Sequence, residues 1–513
     1  MTTAVPAQPL DGFHQDLDRV APPDEPCPGV GRRMPDDERN PGQDASRTRP
    51  DSVDAVLPGP RMLLLGLQHV LVMYANAIAV PLIIGGALKL PKDQIAFLIN
   101  ADLFACGIAT LIQTIGVGPF GIRLPVIMGV TAVAIQPMLA MAAMPGVGLE
   151  GIYGAVIVGG LYGLLIVPFV GRVMRFFPPV VTGTILTMIG IALTRVAVGW
   201  AGGGAGTAEF GAPGTLAVSA GVLAAVLILA RFAPGFLANI AVLLGIGLGY
   251  AATFALGWTS FEGLGAEPWL RVVLPLQFGT PTFHLVPGLI MCLVMTVVFI
   301  EATGMFLALS VMTRRPVGHE DIRRGLRADA LGTLIGGVFN TFPYLSYSQN
   351  VGLVGLTGVH SRWVCASAGG IMLLLGLVPK IAFVAASIPQ AVLGGAALVM
   401  FGMVAATGIR ILAQIDYARP GNRDALVIAV SLGVGLIPIV QPLFFRAMPE
   451  ALQPILKDPI LLTAIAAIAL NALLGTDAPG AGHPMPETAG ESDPAGIRRE
   501  RRGPEAGSVR QER

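Results

Sequence analysis

The sequence has little charge, few aromatic side chains and few cysteines. Only 13% of its 513 residues are charged and 6% are aromatic, whereas 53% are hydrophobic. The charge is also uneven, because residues 1–60 and 476–513 hold 30 of the 65 charged side chains. A charge at the centre of a bilayer costs about 2.5 kcal/mol or more, so the chain between these ends is depleted as a membrane-embedded chain would be. This composition excludes secreted, fibrous and nucleic-acid-binding proteins and indicates a polytopic membrane protein.

Sequence motifs for metal binding and enzymatic chemistry are also missing. The four cysteines (Cys27, Cys106, Cys292 and Cys365) show no paired or metal-ligand spacing, so we expect no metal site and no metal cofactor. The sequence contains no HExxH motif, no phosphate loop and no serine elbow, which argues against an integral membrane enzyme. The opening MTTAVPAQPLDGFHQDLD lacks the basic and apolar regions of a signal peptide, so we expect the first span to direct insertion.

The chain divides into two tails and a membrane domain. Residues 1–60 and 476–513 combine proline, aspartate, arginine and glycine without apolar periodicity, which predicts disordered tails. Residues 61–475 are predicted to form the transmembrane domain. Within it, eleven apolar stretches are long enough to cross about 30 Å of hydrocarbon as helices. They cover roughly 62–88, 93–117, 150–171, 178–199, 214–233, 235–257, 285–312, 361–379, 381–408, 424–445 and 453–475.

Three more apolar segments, near 122–144, 326–340 and 343–359, are short or interrupted by proline, glycine and polar residues. Counting them as spans gives fourteen, which places both termini on the same side of the membrane. With the termini inside, the inner loops carry fourteen arginines and lysines and the outer loops seven. This distribution predicts that both termini are cytoplasmic.

Two of the interrupted segments have the same layout. Pro125 is followed six residues later by Thr131, and Pro343 is followed six residues later by Gln349. In both, a short extended stretch precedes a helical pattern of small residues, as in transporters built from inverted repeats. A half-helix that starts near the bilayer midplane exposes backbone N–H groups that can bind a solute. We therefore expect the binding site between residues 125–132 and 343–351.

Glu301 is the carboxylate placed deepest in a predicted span. It lies in GLIMCLVMTVVFIEATGMFLALS, with a long apolar run on each side, so it cannot easily reach either surface. It is the leading candidate for proton coupling, for a hydrogen bond to the substrate, or for both. The structural alternative is a protonated glutamate that only bridges two helices.

Two aspartates allow more than one interpretation. Asp329 follows Arg323, Arg324 and Arg327, so an interfacial salt bridge competes with a role in a proton-coupling network. Asp102, in LINADLFACG, has the context of a capping or helix-bridging residue.

Three further polar residues lie in the predicted spans. His69, preceded by a glutamine, is either a hydrogen-bonded packing residue or a proton carrier. Gln349 and Asn350 stand at the start of the second interrupted helix. A side-chain amide presents a donor beside an acceptor, so it can pair bidentately with the amide edge of a heterocycle such as uracil or xanthine.

Four motifs, in order, resemble the nucleobase-ascorbate transporter (nucleobase:cation symporter) family over residues 61–475. They are LQHVLVMYANAIAVPLIIGG with its Gln68–His69 pair, FIEATG with Glu301, LRADALG with Asp329, and QNVGLVGLTGVHSR at 349–362. The last motif is similar to the family signature of Gln or Glu, then Asn, a glycine two residues further on and a distal threonine.

The resemblance implies an all-α polytopic membrane protein of fourteen transmembrane segments in a seven-plus-seven inverted repeat, with two short β-strands in interrupted segments 3 and 10. It divides them into a core (segments 1–4 and 8–11) and a gate (segments 5–7 and 12–14). It also implies homodimers, an elevator motion and symport with a proton as the coupling ion, with no other cofactor.

The resemblance further assigns the site. A purine nucleobase would be held by Glu301 and Gln349, assisted by backbone groups near Ala132 and Ser348, with Thr131 in the first interrupted segment. Asp329, His69 and Asn350 would form the proton-coupling or hydrogen-bonding network around it.

Gln349 is similar to the residue of xanthine and urate carriers, whereas uracil carriers of the family tend to have glutamate there. Some xanthine carriers have an aspartate four residues after the glutamate, where this chain has Met305. Together with Thr131, this pattern resembles urate-preferring members. We expect import of urate with xanthine first, xanthine alone second and uracil third, and an inorganic-anion carrier of the same fold is the alternative from another class. Scarce lysine beside abundant arginine and alanine suggests a GC-rich bacterial genome and hence a plasma-membrane location.

Overall fold

A computed structural model of the chain describes residues 52–174, 177–204, 207, 209–259, 261–418, 423–449 and 452–474. The two predicted tails therefore lie outside the described residues, except for residues 52–60. Those residues are packed against the membrane domain: Val53 and Ala55 are buried, and the backbone N–H of Arg362 donates to the carbonyl of Val53 at 2.9 Å. The packed part of the chain thus begins before residue 61, because apolar side chains of the predicted tail are buried in the core.

The described elements form two series with the same order. The first series contains α1 (Gly59–Ala87), α2 (Lys92–Ile115), β1 (Met128–Val130), a 3-10 turn (Ala132–Ala134), α3 (Ile135–Ala142), α4 (Gly148–Ile166), a second 3-10 turn (Val167–Phe169), α5 (Val170–Met174), α6 (Pro179–Ala201), α7 (Pro213–Phe232), α8 (Phe236–Asn239) and α9 (Ala241–Ala255). The second series contains α10 (Leu285–Thr313), α11 (His319–Val338), β2 (Tyr344–Ser346), α12 (Ser348–Thr357), α13 (Arg362–Leu375), α14 (Pro379–Ala386), α15 (Gln390–Leu412), α16 (Asp424–Val440), α17 (Gln453–Leu456) and α18 (Pro459–Leu474).

Each series places two long helices first, then a short strand that leads into a short helix, then four further apolar segments. This order yields seven membrane segments per series, with the strands in segments 3 and 10. The predicted fold, fourteen segments in a seven-plus-seven repeat, is confirmed. Among the described residues, seven helices are long and apolar enough to cross a membrane alone, or eight spans if α13 and α14, which are bent by 83° relative to each other, count as one. The protein is a multi-pass membrane protein.

Two predicted boundaries differ from the structure. The apolar runs at 361–379 and 381–408 become three helices, because Pro379 starts α14 and Pro389 precedes α15. Proline lacks the N–H that a continuing helix needs, so it separates helices inside an apolar run. The segment predicted at 326–340 is a full-length helix, α11, which begins at His319. Its charged first half reduces the apolar signal, while the Asp321 carboxylate caps its N-terminus by accepting the N–H of Gly318 at 3.0 Å.

Small residues allow the repeat-related helices α6 and α15 to approach closely. A Cβ added to Gly190 would overlap the backbone nitrogen of Ala405, and one added to Gly394 would overlap that of Ala201. Helices in a bilayer gain little from the hydrophobic effect between them, so close van der Waals packing of small residues holds them together. These two helices therefore form a rigid unit on which the neighbouring helices α7, α16 and α18 pack.

Candidate substrate site

The two repeats meet at a pair of short antiparallel strands. Met128 of β1 pairs with Ser346 of β2, and Val130 pairs with Tyr344. The pairing extends beyond the strands, because the N–H of Thr131 donates to the carbonyl of Pro343 at 3.0 Å. Each strand runs into a short helix, so the beginnings of two half-helices lie side by side. Their first N–H groups have no partner within the helix and can bind a solute oxygen.

Local sequence explains this geometry. The prolines before each strand cannot continue a helix, and the central position of β1 is a glycine. The ring of Tyr347 would lie 3.0 Å from a Cβ at Gly129, so glycine favours the close approach of β1 and the residue before α12. The amide of Asn76 in α1 also donates to the carbonyl of Val130 at 3.2 Å, which ties β1 to the first helix.

The first half-helix contains two of the predicted site residues. Thr131 is fully buried, and its hydroxyl accepts the N–H of Val133 at 3.2 Å, so it caps the 3-10 turn that follows β1. Ala132 is half-buried and begins that turn. Thr131 thus sets the direction of the half-helix, while the backbone at Ala132 is more accessible.

The second half-helix, α12, begins at Ser348, whose side chain lies outside the described part of the structure. Gln349 is exposed in the first turn of this helix. Asn350 is fully buried and points to α1 instead. Adjacent amides of the same motif therefore have different surroundings, one accessible at the start of the half-helix and one buried.

Glu301 lies in the middle of α10, which packs against the first 3-10 turn, β2 and α12. Its side chain is half-buried, and among the described residues no hydrogen bond or ion pair engages its carboxylate. The structure therefore places Glu301 on a helix that contacts both half-helices.

His69 and Asn350 form a buried pair between α1 and α12. The Asn350 amide nitrogen lies 3.0 Å from Nδ1 of His69 and 3.1 Å from the carbonyl oxygen of the same residue. An amide nitrogen can only donate, so Nδ1 is the acceptor in this arrangement. Asn350 thus fixes the orientation of His69, which is the geometry of the hydrogen-bonded packing alternative.

Asp329 lies at the centre of a buried network. Its Oδ1 accepts from the Gln113 amide at 2.9 Å and from the Ser346 hydroxyl at 3.1 Å. The same amide lies 3.1 Å from the carbonyl of Gly325, and its oxygen accepts the N–H of Ile122 at 3.1 Å. Gln113 of the first repeat therefore connects the aspartate of α11 with the strand β2.

The alternative of an interfacial salt bridge at Asp329 is wrong for the described residues. The side chain is buried, whereas the three preceding arginines reach other partners. Arg323 donates to the carbonyl of Pro168, Arg324 to that of Gly118, and Arg327 to the carboxylate of Glu320. Asp329 and the neighbouring Arg327 lie on different faces of α11, because residues two positions apart in a helix point in different directions.

Asp102 forms a second buried network on the other side of β2. Its Oδ1 accepts from the phenol of Tyr344 at 2.7 Å and from the hydroxyl of Thr341 at 2.9 Å. The helix-bridging interpretation of Asp102 is close to this result, although its partners belong to β2 and the turn before it. Sequence reasoning missed Gln113, Tyr344 and Ser346. The alternation of hydroxyl residues in the YLS stretch was the available signal, since residues two apart in a strand share a face.

The strand ends are held by equivalent threonines of the two repeats. The N–H of Met128 donates to the hydroxyl of Thr110 in α2 at 3.0 Å, and that of Tyr344 donates to Thr333 in α11 at 3.1 Å. Within the described residues no group of three or more histidine, cysteine or acidic side chains could hold a metal ion. The arrangement is thus a rigid, hydrogen-bonded frame around an accessible carboxylate, an amide and two helix starts.

Comparison with known proteins identifies the family. A model described as the permease family (Xan_ur_permease) matches residues 60–444. The chain is 51% identical to the uric acid transporter UacT of Escherichia coli, over 82% of this chain and 87% of that protein. It is 42% identical to the xanthine permease of Bacillus subtilis, over 80% of this chain and 93% of that protein.

The solved structure of SLC26A9 has the same fold at 13% identity, with a TM-score of 0.54, over 80% of this chain and 64% of that one. The expected nucleobase-ascorbate transporter family is confirmed by these matches, and the chain is a transporter and not an enzyme. The chain belongs to this permease family.

Proposed function

We propose that the protein imports urate and xanthine together with a proton. One observation carries the proposal: Glu301 is half-buried and without a protein partner among the described residues, and its helix, α10, packs against the 3-10 turn of the first half-helix and against α12, which carries Gln349. A purine dione presents adjacent N–H and C=O groups along its edge. A carboxylate accepts from its N–H groups, while an amide pairs with a donor and an acceptor at once.

The remaining polar groups of the base would be bound by backbone. The N–H groups at the start of the 3-10 turn and of α12 are suited to its carbonyl oxygens, aided by the positive ends of the two helix dipoles. A site that hydrogen-bonds each polar edge discriminates strongly against bases that lack a group, because a buried polar atom is then left unpaired.

Glu301 would also carry the coupled proton. It is the carboxylate at the substrate, whereas Asp102 and Asp329 are already engaged by hydroxyl and amide donors. Proton binding at Glu301 and base binding beside it would then favour each other, which is the requirement for symport. Asp329, His69 and Asn350 would keep the frame in place around this step.

Transport would occur by an elevator motion. The core (segments 1–4 and 8–11) contains both half-helices and Glu301, and it would slide past the gate (segments 5–7 and 12–14), whose centre is the tight α6–α15 pair. We further propose a homodimer in the bacterial plasma membrane with both termini cytoplasmic, as the arginine distribution predicts.

The relatives support the purine class. One is named a uric acid transporter and another a xanthine permease, and the chain is 51% and 42% identical to them, respectively. Gln349 also favours a purine over uracil as the substrate. Its amide both accepts and donates, whereas the glutamate that uracil carriers tend to have at this position can only accept. We rank urate with xanthine above xanthine alone, and both above uracil.

Uptake of labelled urate, xanthine and uracil into cells that express the chain, with and without a protonophore, tests the proposal. Purine uptake that urate competes and the protonophore abolishes is the expected result. Absence of uptake of every base, by protein shown to be in the membrane, would favour the inorganic-anion alternative. Uptake that persists with the protonophore would remove the proton from the mechanism.

A further inference from the structure

A cavity of about 800 Å³ lies between α1, α9, α14 and the segment 261–269 that follows α9. Its walls are mostly aliphatic and aromatic and include Ile78, Ile246, Phe261 and Val384. The volume is within the range of pockets that hold a small molecule, roughly 300–1,000 Å³. Neither Glu301 nor Gln349 lines it, so it is separate from the substrate site.

One charged side chain, Lys380, is part of the lining. Its ammonium donates to the carbonyl of Leu264 at 3.1 Å and lies 5.0 Å from the ring centroid of Trp269. None of the ion pairs among the described residues includes this lysine. An ammonium has three N–H donors, so donors remain for an anion at the edge of the cavity.

The cavity is open at the side of Lys380. Trp269 is 73% exposed and Ile381 is 40% exposed. Gly247 and Gly265 also line the cavity, and a Cβ at either position would meet no atom within 4 Å. Lysine beside tryptophan is the combination that proteins place at the membrane surface, where the ring meets headgroups and the cation attracts anionic lipid.

The cavity is unsuited to a second purine. Apart from Lys380 and the indole N–H of Trp269, its side-chain polar atoms are the hydroxyls of Tyr74 and Tyr250, which are inaccessible and without a hydrogen-bond partner among the described residues. A base would therefore leave most of its donors and acceptors unpaired, which disfavours its binding. A hydrocarbon chain has no hydrogen-bond donors or acceptors, so it leaves none unpaired in this cavity.

We propose that this cavity binds one acyl chain of an anionic phospholipid, with the lipid phosphate at Lys380. A phospholipid fits better than a free fatty acid, because the open side lets the second chain remain in the bilayer. The site contacts both α1, the first segment, and α9, the seventh, so the lipid would join the proposed core to the proposed gate. This inference goes beyond the proposed function and does not depend on the transported solute.

Native mass spectrometry of the purified full-length chain tests it. The protein in detergent is titrated with phosphatidylglycerol, with phosphatidylcholine of the same chains, and with the corresponding fatty acid. A contribution of about 1 kcal/mol per lysine predicts about fivefold tighter binding of phosphatidylglycerol than of phosphatidylcholine. Lys380→Ala should abolish that preference, and Lys457→Ala, which changes a lysine outside the cavity lining, should leave it intact.

A second variant tests the cavity itself. Gly247→Phe places a ring in the open space and should weaken binding of both phospholipids, while the protein elutes as the wild type does. Equal binding of the two phospholipids to the wild type would overturn the role of Lys380. Binding of the fatty acid alone, or unchanged phospholipid binding in Gly247→Phe, would overturn the proposed occupant or its location. Because lipid binding is measured without transport, these results stand apart from the uptake assay.

Discussion

The phenol of Tyr344 donates a hydrogen bond of 2.7 Å to Oδ1 of Asp102, across 242 residues of sequence. Asp102 belongs to α2 of the first repeat and Tyr344 to β2 of the second. Thr341, on the other side of Pro343, bonds the same oxygen. Because the carbonyl of Pro343 accepts the N–H of Thr131, this aspartate supports the start of both half-helices.

Asp102→Ala should therefore raise the KM for urate, because the half-helices lose this support. The amount of protein in the membrane should change little. Removing the carboxylate deprives the buried hydroxyls of Tyr344 and Thr341 of this acceptor, at a cost of about 1–3 kcal/mol. Asp102→Asn keeps an accepting oxygen and should have the smaller effect, and Tyr344→Phe should add little to Asp102→Ala, since the two share one contact. The measurement is the uptake kinetics of Asp102→Ala, Asp102→Asn, Tyr344→Phe and the double mutant Asp102→Ala/Tyr344→Phe. The double mutant and its two single mutants give the coupling energy between the two residues.

Thr114→Val is the matched control for Asp102, because this buried hydroxyl of α2 bonds only to carbonyls of its own helix. A KM change as large in Thr114→Val as in Asp102→Ala would mean that any polar loss in α2 has the same effect, and Asp102 would have no special position.

Glu301→Gln should abolish proton-driven accumulation of purine while the protein still reaches the membrane. Glutamine has nearly the same shape but cannot take up or release the proton. Accumulation against a gradient and its sensitivity to external pH are the measurements. Glu320→Gln changes an exposed glutamate of the next helix, whose ion pairs with Arg323 and Arg327 are worth little, and should transport normally. Normal accumulation by Glu301→Gln would remove this residue from the mechanism.

How much of this site the sequence reveals depends on the range of the interaction. Pro125, Pro343 and the small residues after them are local signals, and they correctly predict two strands that run into half-helices. Glu301 is recognisable because a carboxylate isolated in an apolar run is costly to insert into a bilayer and usually has a functional role. The position of Glu301 beside both half-helices could be predicted only from the fold, and the family motifs indicated that fold.

The networks of Asp102 and Asp329 could not be derived in the same way. Gln113 reaches Asp329 across 216 residues, and nothing near Gln113 in sequence indicates that partner. The interpretation of Asp329 as a salt-bridge residue failed for a related reason, since proximity in sequence to three arginines does not give proximity in space. The sequence pattern also makes helix α11 too short, because the first half of this helix is charged and lies outside any apolar window.

Gln349→Glu should weaken purine binding and shift competition toward pyrimidines. The carboxylate cannot donate, so one acceptor of the base would lose its partner, at a cost of about 1–3 kcal/mol, or roughly five- to 150-fold in affinity. Gln390→Glu changes another exposed glutamine in the first turn of a helix, α15, and should not alter the profile. Inhibition of urate uptake by a panel of purines and pyrimidines checks this. An unchanged panel in Gln349→Glu would contradict the amide pairing.

Gly394→Leu should prevent stable folding of the α6–α15 pair. A Cβ at Gly394 would overlap the backbone nitrogen of Ala201, and backbone cannot move aside as a flexible side chain does. Gly402→Leu is the control in the same helix, because Gly402 is exposed and a Cβ there meets no atom within 4 Å. Thermal unfolding followed by size-exclusion chromatography should show loss of the folded peak for Gly394→Leu alone. Similar melting curves for both variants would show that α6 and α15 are not packed as described.

Deleting residues 1–50 should leave transport and thermal stability unchanged, because that segment has too few apolar residues to form a core of its own. Deletion through residue 58 should lower the melting temperature, since it removes the buried Val53 and Ala55 and their contacts with the start of α13. The hydroxyl of Ser361 donates to the carbonyl of Ala55, and the Arg362 guanidinium contacts Asp54 at 2.5 Å. Asp54→Ala should have a smaller effect, within about 1 kcal/mol, as expected for a half-exposed ion pair. Equal stability of the two deletions would mean that residues 51–58 contribute nothing to the fold, and a loss of transport with the shorter deletion would assign a role to the N-terminal tail.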